Sequence, residues 1–333
     1  VYRILMAALL VSGASAAEPE LGPFTKDFVK FMNRNPERNE YALSAYHEYG
    51  SNGTFGGLAK NEKMDLTHQP VLFVHGNSDS ALFFNENATG WNESVKYFKS
   101  QGFKGYELYG LTYGSRNLSN SMNNYIKCRN IVGLRRFIEA ILSYTQADKI
   151  DIVAHSMGVS LARKAIQGGM VHMTEEVCDL GDSIAHKIDA LIAISGANYG
   201  MCMCLMEGLK DMPACGQEAF TPGPCGNSKP TVESCLSEDY ECETDDYALV
   251  LQQINKGKKE ADFVASLWSK SDAIVGIDNM AWGRKTSEIA GSDYTYAYDG
   301  YNHFQMKTMT FKDQFTLVTE HKRHSTRSKR HHY

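Results

Sequence analysis

Ser156 lies where a strand-like segment changes abruptly into a helix-like one. Residues 149–153 alternate as a strand does, and residues 159–166 carry apolar side chains at helical spacing. Ala154 and Gly158 stand two positions before and two positions after the serine, and both are small enough to let the two backbones approach closely. A sharp strand-to-helix turn with serine at its apex is typical of a nucleophile elbow. The alternative is a serine that only caps the helix.

A serine hydroxyl is a weak nucleophile, and the chain supplies the partners it would need in a suitable order. An imidazole takes the hydroxyl proton near neutral pH, and a carboxylate fixes the tautomer of that imidazole. Asp272 and Asp278 follow a strand-like segment at residues 261–268, and His303 lies in a predicted turn after another at residues 294–298. Serine, aspartate, histidine is the chain order of α/β-hydrolases, so we predict His303 as the base; a histidine of a surface loop is the alternative. The later histidines lie in the tail, outside any predicted framework: His321, His324, His331 and His332.

Two motifs carry a resemblance to a known family. The segment Ala-His-Ser-Met-Gly at residues 154–158 resembles the small bacterial triacylglycerol lipases of the Bacillus type, and residues 24–315 are similar to the class 2 lipases abundant in nematodes. The S-x-x-D-x-I-V pattern at residues 269–275 resembles the acid loop of the bacterial lipases, which implies Asp272 as the acid of the triad. Asp278 is its main rival, and a solvated loop carboxylate is the alternative to both.

The resemblance extends to a second strand. Residues 70–77 read as a buried strand that ends in His-Gly-Asn about 80 residues before Ser156. This matches the oxyanion strand of α/β-hydrolases, where a backbone N–H after His-Gly helps to hold the tetrahedral oxyanion. It implies Asn77 and Met157 as the two backbone donors, although the family usually has an apolar residue or glycine at the position of Asn77. His75 could be a base, but a histidine in this turn is more often structural.

Strand and helix patterns alternate along most of the chain. Helices are predicted at residues 21–33, 91–101, 130–144 and 311–321, strands at residues 106–113 and 188–194, and a Gly-rich loop at residues 51–58. This alternation predicts a mostly parallel sheet with functional residues at its carboxyl edge. The predicted fold class is therefore α/β, an α/β-hydrolase domain over residues 17–320 with helices on both faces of the sheet and a disulfide-rich insertion.

The insertion is defined by its cysteines. All eight cysteines lie beyond residue 127, and six lie in residues 199–246, a segment poor in apolar residues that cross-links would order. Cys202 and Cys204 could suggest a metal cluster, but an exported chain favours disulfides, so we expect no metal. The sequence does not choose among the possible pairings. The segment leaves the sheet near the active-site edge, which predicts a possible lid; a remote, cross-linked excursion is the alternative.

The termini and the sequons indicate export. Residues 1–16 have the charged start, short apolar run and Ala-x-Ala site of a signal peptide. No later segment is long and apolar enough to predict a transmembrane helix. Residues 321–333 form a basic tail, either solvated or in contact with anionic glycans or membrane surfaces. Four glycosylation sequons, at Asn52, Asn87, Asn92 and Asn117, also fit a secreted protein.

These features together predict a secreted serine carboxylic-ester hydrolase. The composition is that of a globular protein, 43% hydrophobic and 22% charged, and the net charge of −5 argues against a nucleic-acid binder. We expect a lipid or ester substrate cleaved through an acyl-Ser156 intermediate, a possible lipid–water interface and no cofactor. The alternatives are an acyltransferase or thioesterase with the same triad, and a binding protein with a hydrolase fold. Such binding proteins commonly lack a triad member, whereas this chain has all three.

Overall fold

The structure, a computed structural model, describes residues 21–240, 242 and 244–322. The predicted signal peptide at residues 1–16 and the predicted tail beyond Lys322 therefore lie outside the described residues. The helices are α1 (Lys26–Met32), α2 (Glu40–Tyr49), α3 (Asn92–Ser100), α4 (Cys128–Thr145), α5 (Met157–Gln167), α6 (Val232–Cys235), α7 (Leu249–Asn255), α8 (His303–Met309) and α9 (Phe311–Glu320). Within the described ranges, none of them combines the length and apolarity that crossing a membrane requires.

The strands build one large sheet and two small hairpins. They are β1 (Thr54–Phe55), β2 (Val71–Val74), β3 (Leu108–Leu111), β4 (Ile150–His155), β5 (Met170–His172), β6 (Val177–Asp179), β7 (Ile188–Ile194), β8 (Phe263–Ser269), β9 (Met280–Ala281), β10 (Arg284–Lys285) and β11 (Tyr294–Tyr298). The large sheet has the order β1-β3-β2-β4-β7-β8-β11, and every neighbouring pair except β1 and β3 is parallel. The predicted α/β class with a mostly parallel sheet is confirmed, and the loops after the parallel strands meet at one edge.

Helices cover both faces of this sheet. Side chains of α1, α2, α4, α5 and α7 pack on one face, and those of α3, α8 and α9 pack on the other. Strand β4 contributes side chains to the hydrophobic cores on both faces of the sheet. Ile152 packs in the core under α4 and α5, and Val153 packs in the core under α3 and α9. All six residues of β4 are buried, as expected of a central parallel strand, and four of them are apolar; Asp151 and His155 are the buried polar exceptions.

Most predicted elements are present within a few residues of their expected ends, and the strands at residues 188–194 and 294–298 have the predicted bounds. Several elements were not predicted, among them the helices α2, α6 and α7 and the hairpins β5–β6 and β9–β10. Residues 51–58, predicted as a loop, contain the short edge strand β1, which pairs with β3. A strand of two residues is too short to show a periodicity, and its position is fixed by its partner. Thr54 also accepts a hydrogen bond from the N–H of Phe24 at 3.1 Å.

The prediction of disulfides is confirmed, and the structure supplies the pairings. Three bridges lie within residues 199–246, and the fourth ties the start of α4 to β6; the pairs are Cys128–Cys178, Cys202–Cys235, Cys204–Cys215 and Cys225–Cys242. No cysteine in the described part of the chain is free.

The Cys-rich segment at residues 199–246 is attached to loops on both sides of β4. The Glu218 carbonyl accepts the N–H of Ile126, in the loop after β3, at 3.0 Å. On the other side, the N–H of Trp282 donates to the Cys235 carbonyl at 2.7 Å, and its indole N–H donates to a second carbonyl of the segment. Because both loops follow parallel strands of the sheet, the segment lies at the carboxyl edge, on the same side as Ser156.

Asp151, in the centre of the sheet, makes the stability of the fold depend on pH. Its carboxylate is 2% exposed and accepts the N–H of Ala190 at 3.0 Å. Burial and the nearby Asp189 raise the pKa of Asp151 well above its usual value. A group with a raised folded-state pKa stabilises the fold below its unfolded pKa, and that contribution is lost as pH rises through the folded pKa.

We therefore expect Asp151→Asn to raise the melting temperature by a few degrees at pH 8. The amide keeps the oxygen that accepts the Ala190 N–H but removes the charge. The gain should shrink at about pH 4, near the ordinary pKa of an aspartate. Thermal unfolding at the two pH values measures the difference, and an equal gain at both would show that the charge is not the cause.

Candidate active site

Ser156 occupies a strained turn between β4 and α5. Its backbone has φ 54° and ψ −128°, a conformation that non-glycine residues rarely adopt, and its N–H donates to the Ile194 carbonyl at 2.9 Å. A Cβ at Gly158 would lie 2.4 Å from the carbonyl oxygen of His75, and a Cβ at Gly76 would lie 2.8 Å from the Cβ of Ser156. Glycine is therefore required at both positions, and the end of β2 presses directly against the serine turn.

Asp272 and His303 are brought together at the same edge. Asp272 follows β8, and its Oδ2 lies 2.8 Å from Nδ1 of His303, which follows β11. Its Oδ1 accepts the N–H groups of Ile274 and Val275 at 3.0 and 3.1 Å. Burial alone would raise the pKa of Asp272, but His303 and these two N–H groups outweigh it and lower the pKa from its usual value. Asp272 is therefore a carboxylate at neutral pH, held in one orientation.

Asp278, the rival acid, occupies a different environment. Its side chain is exposed, its φ is 57°, and its N–H donates to the Lys270 carbonyl at 3.1 Å. It makes no side-chain hydrogen bond to a histidine within the described residues. Ile277, directly before it in the chain, is 55% exposed. Of the two aspartates, the structure joins only Asp272 to His303.

The local structure at His303 differs from the prediction of a turn. His303 is the first residue of α8, and Asn302 caps this helix by accepting the N–H of Gln305 at 2.9 Å. The Gln305 side chain accepts the N–H of Asn302 in return, at 3.0 Å. An asparagine followed three residues later by glutamine is a sequence signal for a helix start, and it could have corrected the prediction.

The two predicted oxyanion donors border one cavity of about 200 Å³. Neither the N–H of Asn77 nor that of Met157 makes a hydrogen bond in the part of the chain that the structure describes. The Asn77 side chain donates to the Ser121 carbonyl at 2.9 Å and accepts from Asn124 at 2.7 Å. These contacts hold the loop through the side-chain amide of Asn77. The backbone N–H of Asn77 remains available.

His75 has both ring nitrogens occupied by backbone. Nε2 accepts the N–H of Tyr113 at 3.0 Å, so Nδ1 is the donor to the Gly76 carbonyl at 2.7 Å. The Tyr113 ring stacks on the imidazole at 4.1 Å. Burial lowers the pKa of His75 to about 4, so the ring is neutral at neutral pH. This arrangement matches the structural alternative for His75.

His155, directly before the serine, makes a contact that the sequence reasoning missed. Its Nε2 donates to the backbone carbonyl of His303 at 3.0 Å, and the two rings lie 4.6 Å apart. Burial and the neighbouring His303 lower the pKa of His155 well below its usual value. The same turn that carries Ser156 therefore holds the backbone of His303. No sequence signal identifies this contact, because it joins residues 148 positions apart.

A buried ion pair, also unpredicted, joins the loop after β2 to the helix α8. The Lys307 ammonium group, one turn after His303 in α8, is hydrogen-bonded to Asp79, and Asp79 also accepts the N–H of Gly90 at 3.0 Å. Lys307 is 1% exposed and Asp79 is 4% exposed. Burial raises the pKa of Asp79, but Lys307 more than offsets this and lowers it. Removing one partner would leave an unpaired buried charge, which is strongly destabilising.

Comparisons with known proteins identify similar sequences and structures. A family model described as Lipase (class 2) matches residues 68–316, which include Asn77, Ser156, Asp272 and His303. The chain is similar to lipase B of Aspergillus fumigatus, with 13% identity and a TM-score of 0.47, over 82% of this chain and 57% of that one. It therefore spans little more than half the length of that lipase.

Two further solved structures resemble the chain. One is an extracellular α/β-hydrolase from a Paenibacillus species, with 10% identity and a TM-score of 0.42, over 75% of this chain and 98% of that one. The other is a monoacylglycerol lipase of Paleococcus ferrophilus, with 14% identity and a TM-score of 0.41, over 75% and 88% of the two chains.

Proposed function

Because the chain belongs to the class 2 lipase family, we propose that it is a serine carboxylic-ester hydrolase that acts on lipid esters such as acylglycerols. The observation that carries this proposal is the buried hydrogen bond of 2.8 Å between Asp272 and His303, at the sheet edge where Ser156 occupies its strained turn. Nδ1 of the imidazole is taken by the carboxylate, which leaves Nε2 to exchange a proton with the serine.

The proposed reaction has two halves. Ser156 Oγ attacks the ester carbonyl carbon while His303 takes its proton, and the backbone N–H groups of Asn77 and Met157 hold the oxyanion. The bond to the alcohol oxygen then breaks, His303 protonates that oxygen, and the acyl group stays on Ser156. Water, deprotonated by His303, then attacks the acyl carbon, the bond from that carbon to Ser156 Oγ breaks, His303 returns the proton to this oxygen, and the acid leaves. Asp272 stabilises the imidazolium in both halves without taking the proton.

We also propose that the protein is secreted and belongs to the nematode-like branch of the family. Four disulfides are consistent with an oxidising compartment. The predicted signal peptide and the sequons at Asn52, Asn87, Asn92 and Asn117 support the same route. The Cys-rich segment at residues 199–246 would then be a cross-linked cover at the active-site edge, bonded to the loops after β3 and β8.

The stoichiometry of ester cleavage tests this function against its alternatives. With p-nitrophenyl butyrate, a hydrolase releases p-nitrophenol and butyric acid in equal amounts without any added acceptor. An acyltransferase would need an added alcohol or thiol and would form a new ester or thioester. A binding protein would release neither product above the uncatalysed rate. We expect equal release, and absence of butyric acid from a folded, disulfide-bonded sample would refute the proposal.

Exposed apolar side chains around the active-site edge support action at a lipid–water interface. Phe83 follows β2, Leu118 follows β3 and Ile277 follows β8, and they are 49%, 37% and 55% exposed. All three loops leave the carboxyl edge of the sheet. Apolar side chains grouped around a catalytic edge offer a surface that an emulsion droplet would bury.

We expect Phe83→Asp and Ile277→Asp each to lower turnover of emulsified tributyrin at least about fivefold more than turnover of dissolved p-nitrophenyl butyrate. A charge at either site opposes burial in lipid but does not touch the triad. Met170→Asp is the matched control, because Met170 is 47% exposed but lies just beyond α5, towards the opposite edge. Equal losses on both substrates would argue against an interfacial role.

A further inference from the structure

The cavity beside the oxyanion donors has an unusual lining for an enzyme of lipids. It is bounded by Asn77 and Met157, by one face of α2, by the start of α4 and by the end of β3. Besides Ala45, Met157 and the aromatic rings of four tyrosines, its lining side chains carry hydroxyl, amide or charged groups. Small-molecule pockets are usually lined mainly by apolar side chains. Polar groups so close to the proposed nucleophile therefore indicate a polar ligand.

Several polar groups of this wall remain available to a ligand. Tyr41 donates its hydroxyl to Asn130 Oδ1 at 3.2 Å, which holds the amide in place but leaves its N–H groups unused. The Ser44 hydroxyl makes no hydrogen bond to any residue in the described part of the chain. Glu48 and Arg129 add a carboxylate and a guanidinium group at the exposed side of the cavity. Donors, acceptors and both signs of charge are thus present together.

Size and polarity both make this cavity a poor match for a long acyl chain. Its volume of about 200 Å³ is below the range of roughly 300–1,000 Å³ for pockets that enclose drug-sized ligands. A fatty chain would also strip water from the hydroxyl and amide groups without replacing their hydrogen bonds, which is unfavourable. A short polyol could displace this water and form equivalent hydrogen bonds to the same groups. A glycerol unit is small enough to fit.

We infer that this cavity binds the alcohol part of the ester and recognises its free hydroxyl groups. The preferred substrate is then a partially acylated polyol, such as a monoacylglycerol, and not a fully esterified triacylglycerol. This inference rests on the proposed function. In acylation, Ser156 Oγ bonds to the acyl carbon, the bond to the glyceryl oxygen breaks, that oxygen takes the proton from His303, and glycerol leaves from the cavity.

A matched pair of dissolved esters tests the inference. 1-Monobutyrylglycerol and n-propyl butyrate have the same acyl group and the same three-carbon alcohol skeleton, but only the first has free hydroxyl groups. We expect kcat/KM to be at least about tenfold higher for the glyceryl ester. Ser44→Val and Asn130→Leu should each lower the ratio of kcat/KM for the glyceryl ester to kcat/KM for the propyl ester towards one. Because both esters are measured on the same sample, loss of folded protein cancels in the ratio.

The control variant is Ser143→Val, which changes an exposed serine of α4 outside the cavity and should leave the ratio unchanged. A wild-type ratio near one, with both esters hydrolysed, would overturn the inference while the proposed function stands. A high ratio that persists in both cavity variants would overturn it as well, since the hydroxyl groups would then be recognised elsewhere. Hydrolysis of neither ester would overturn the proposed function and the inference together.

Discussion

Ser156→Ala is expected to lower ester turnover about 10⁴-fold or more. The substitution removes the atom that forms the acyl-enzyme and changes little else, because alanine fits wherever serine does. His303→Ala should have an effect of similar size, since without the imidazole the serine keeps its proton. The double variant should be little worse than either single one, because the members of a triad act as a unit. Steady-state hydrolysis of p-nitrophenyl butyrate by the three variants measures these losses.

Ser160→Ala is the matched control for this experiment. Ser160 lies one turn further along α5, and its hydroxyl is buried without a hydrogen-bond partner among the described residues. Its removal should therefore leave turnover near that of the wild type. Near-native activity in either Ser156→Ala or His303→Ala would end the assignment of these two residues. Additive losses in the double variant would mean that they act independently.

The second large effect is expected at the acid. Asp272→Asn keeps the shape of the side chain and can still accept the N–H groups of Ile274 and Val275. It loses the charge that holds the His303 tautomer, and its amide can present a donor to Nδ1. In the serine-protease template, this change costs about 10⁴-fold in turnover. We expect a loss of that order for Asp272→Asn, measured by kcat, with a melting temperature close to that of the wild type.

Asp278→Asn provides the matched comparison. Asp278 is exposed with φ 57°, a conformation that asparagine tolerates well, so the variant should fold. We expect turnover within about tenfold of the wild type. The reverse ranking, with both variants folded, would assign the acid to Asp278 while leaving Ser156 and His303 in place. A lowered melting temperature in Asp272→Asn would require Asp272→Glu as a second variant, which keeps the charge and should recover part of the activity.

The sequence was most informative where all the residues that define a feature lie in one short stretch of the chain. The strand, the serine and the helix around residue 156 are contiguous, and the small residues required by the turn stand at fixed offsets. The parallel strands are buried on both faces, so they appear as apolar runs whose carboxyl ends predict a common edge. For these reasons the elbow, the sheet and the side of the sheet on which the site lies could be predicted from the amino-acid sequence alone.

Contacts between distant parts of the chain could not be predicted in this way. The bond from His155 to the His303 carbonyl and the Asp79–Lys307 ion pair join residues 148 and 228 positions apart. Neither pair produces a periodicity or a motif in the amino-acid sequence. The disulfide pairings and the edge strand β1 could not be predicted for the same reason, since each depends on a partner that the fold brings close. The cavity lining of α2 and α4 likewise exists only once the helices are packed.

We propose that Ser156 is a nucleophile activated by His303 and Asp272. Mass spectrometry of the protein after incubation with a fluorophosphonate, which reacts with activated serines, tests this directly. We predict one adduct per chain, on the peptide that contains Ser156, with no adduct in Ser156→Ala and much slower labelling in His303→Ala. Absence of an adduct from the folded, disulfide-bonded protein, or an adduct on another residue, would contradict the claim.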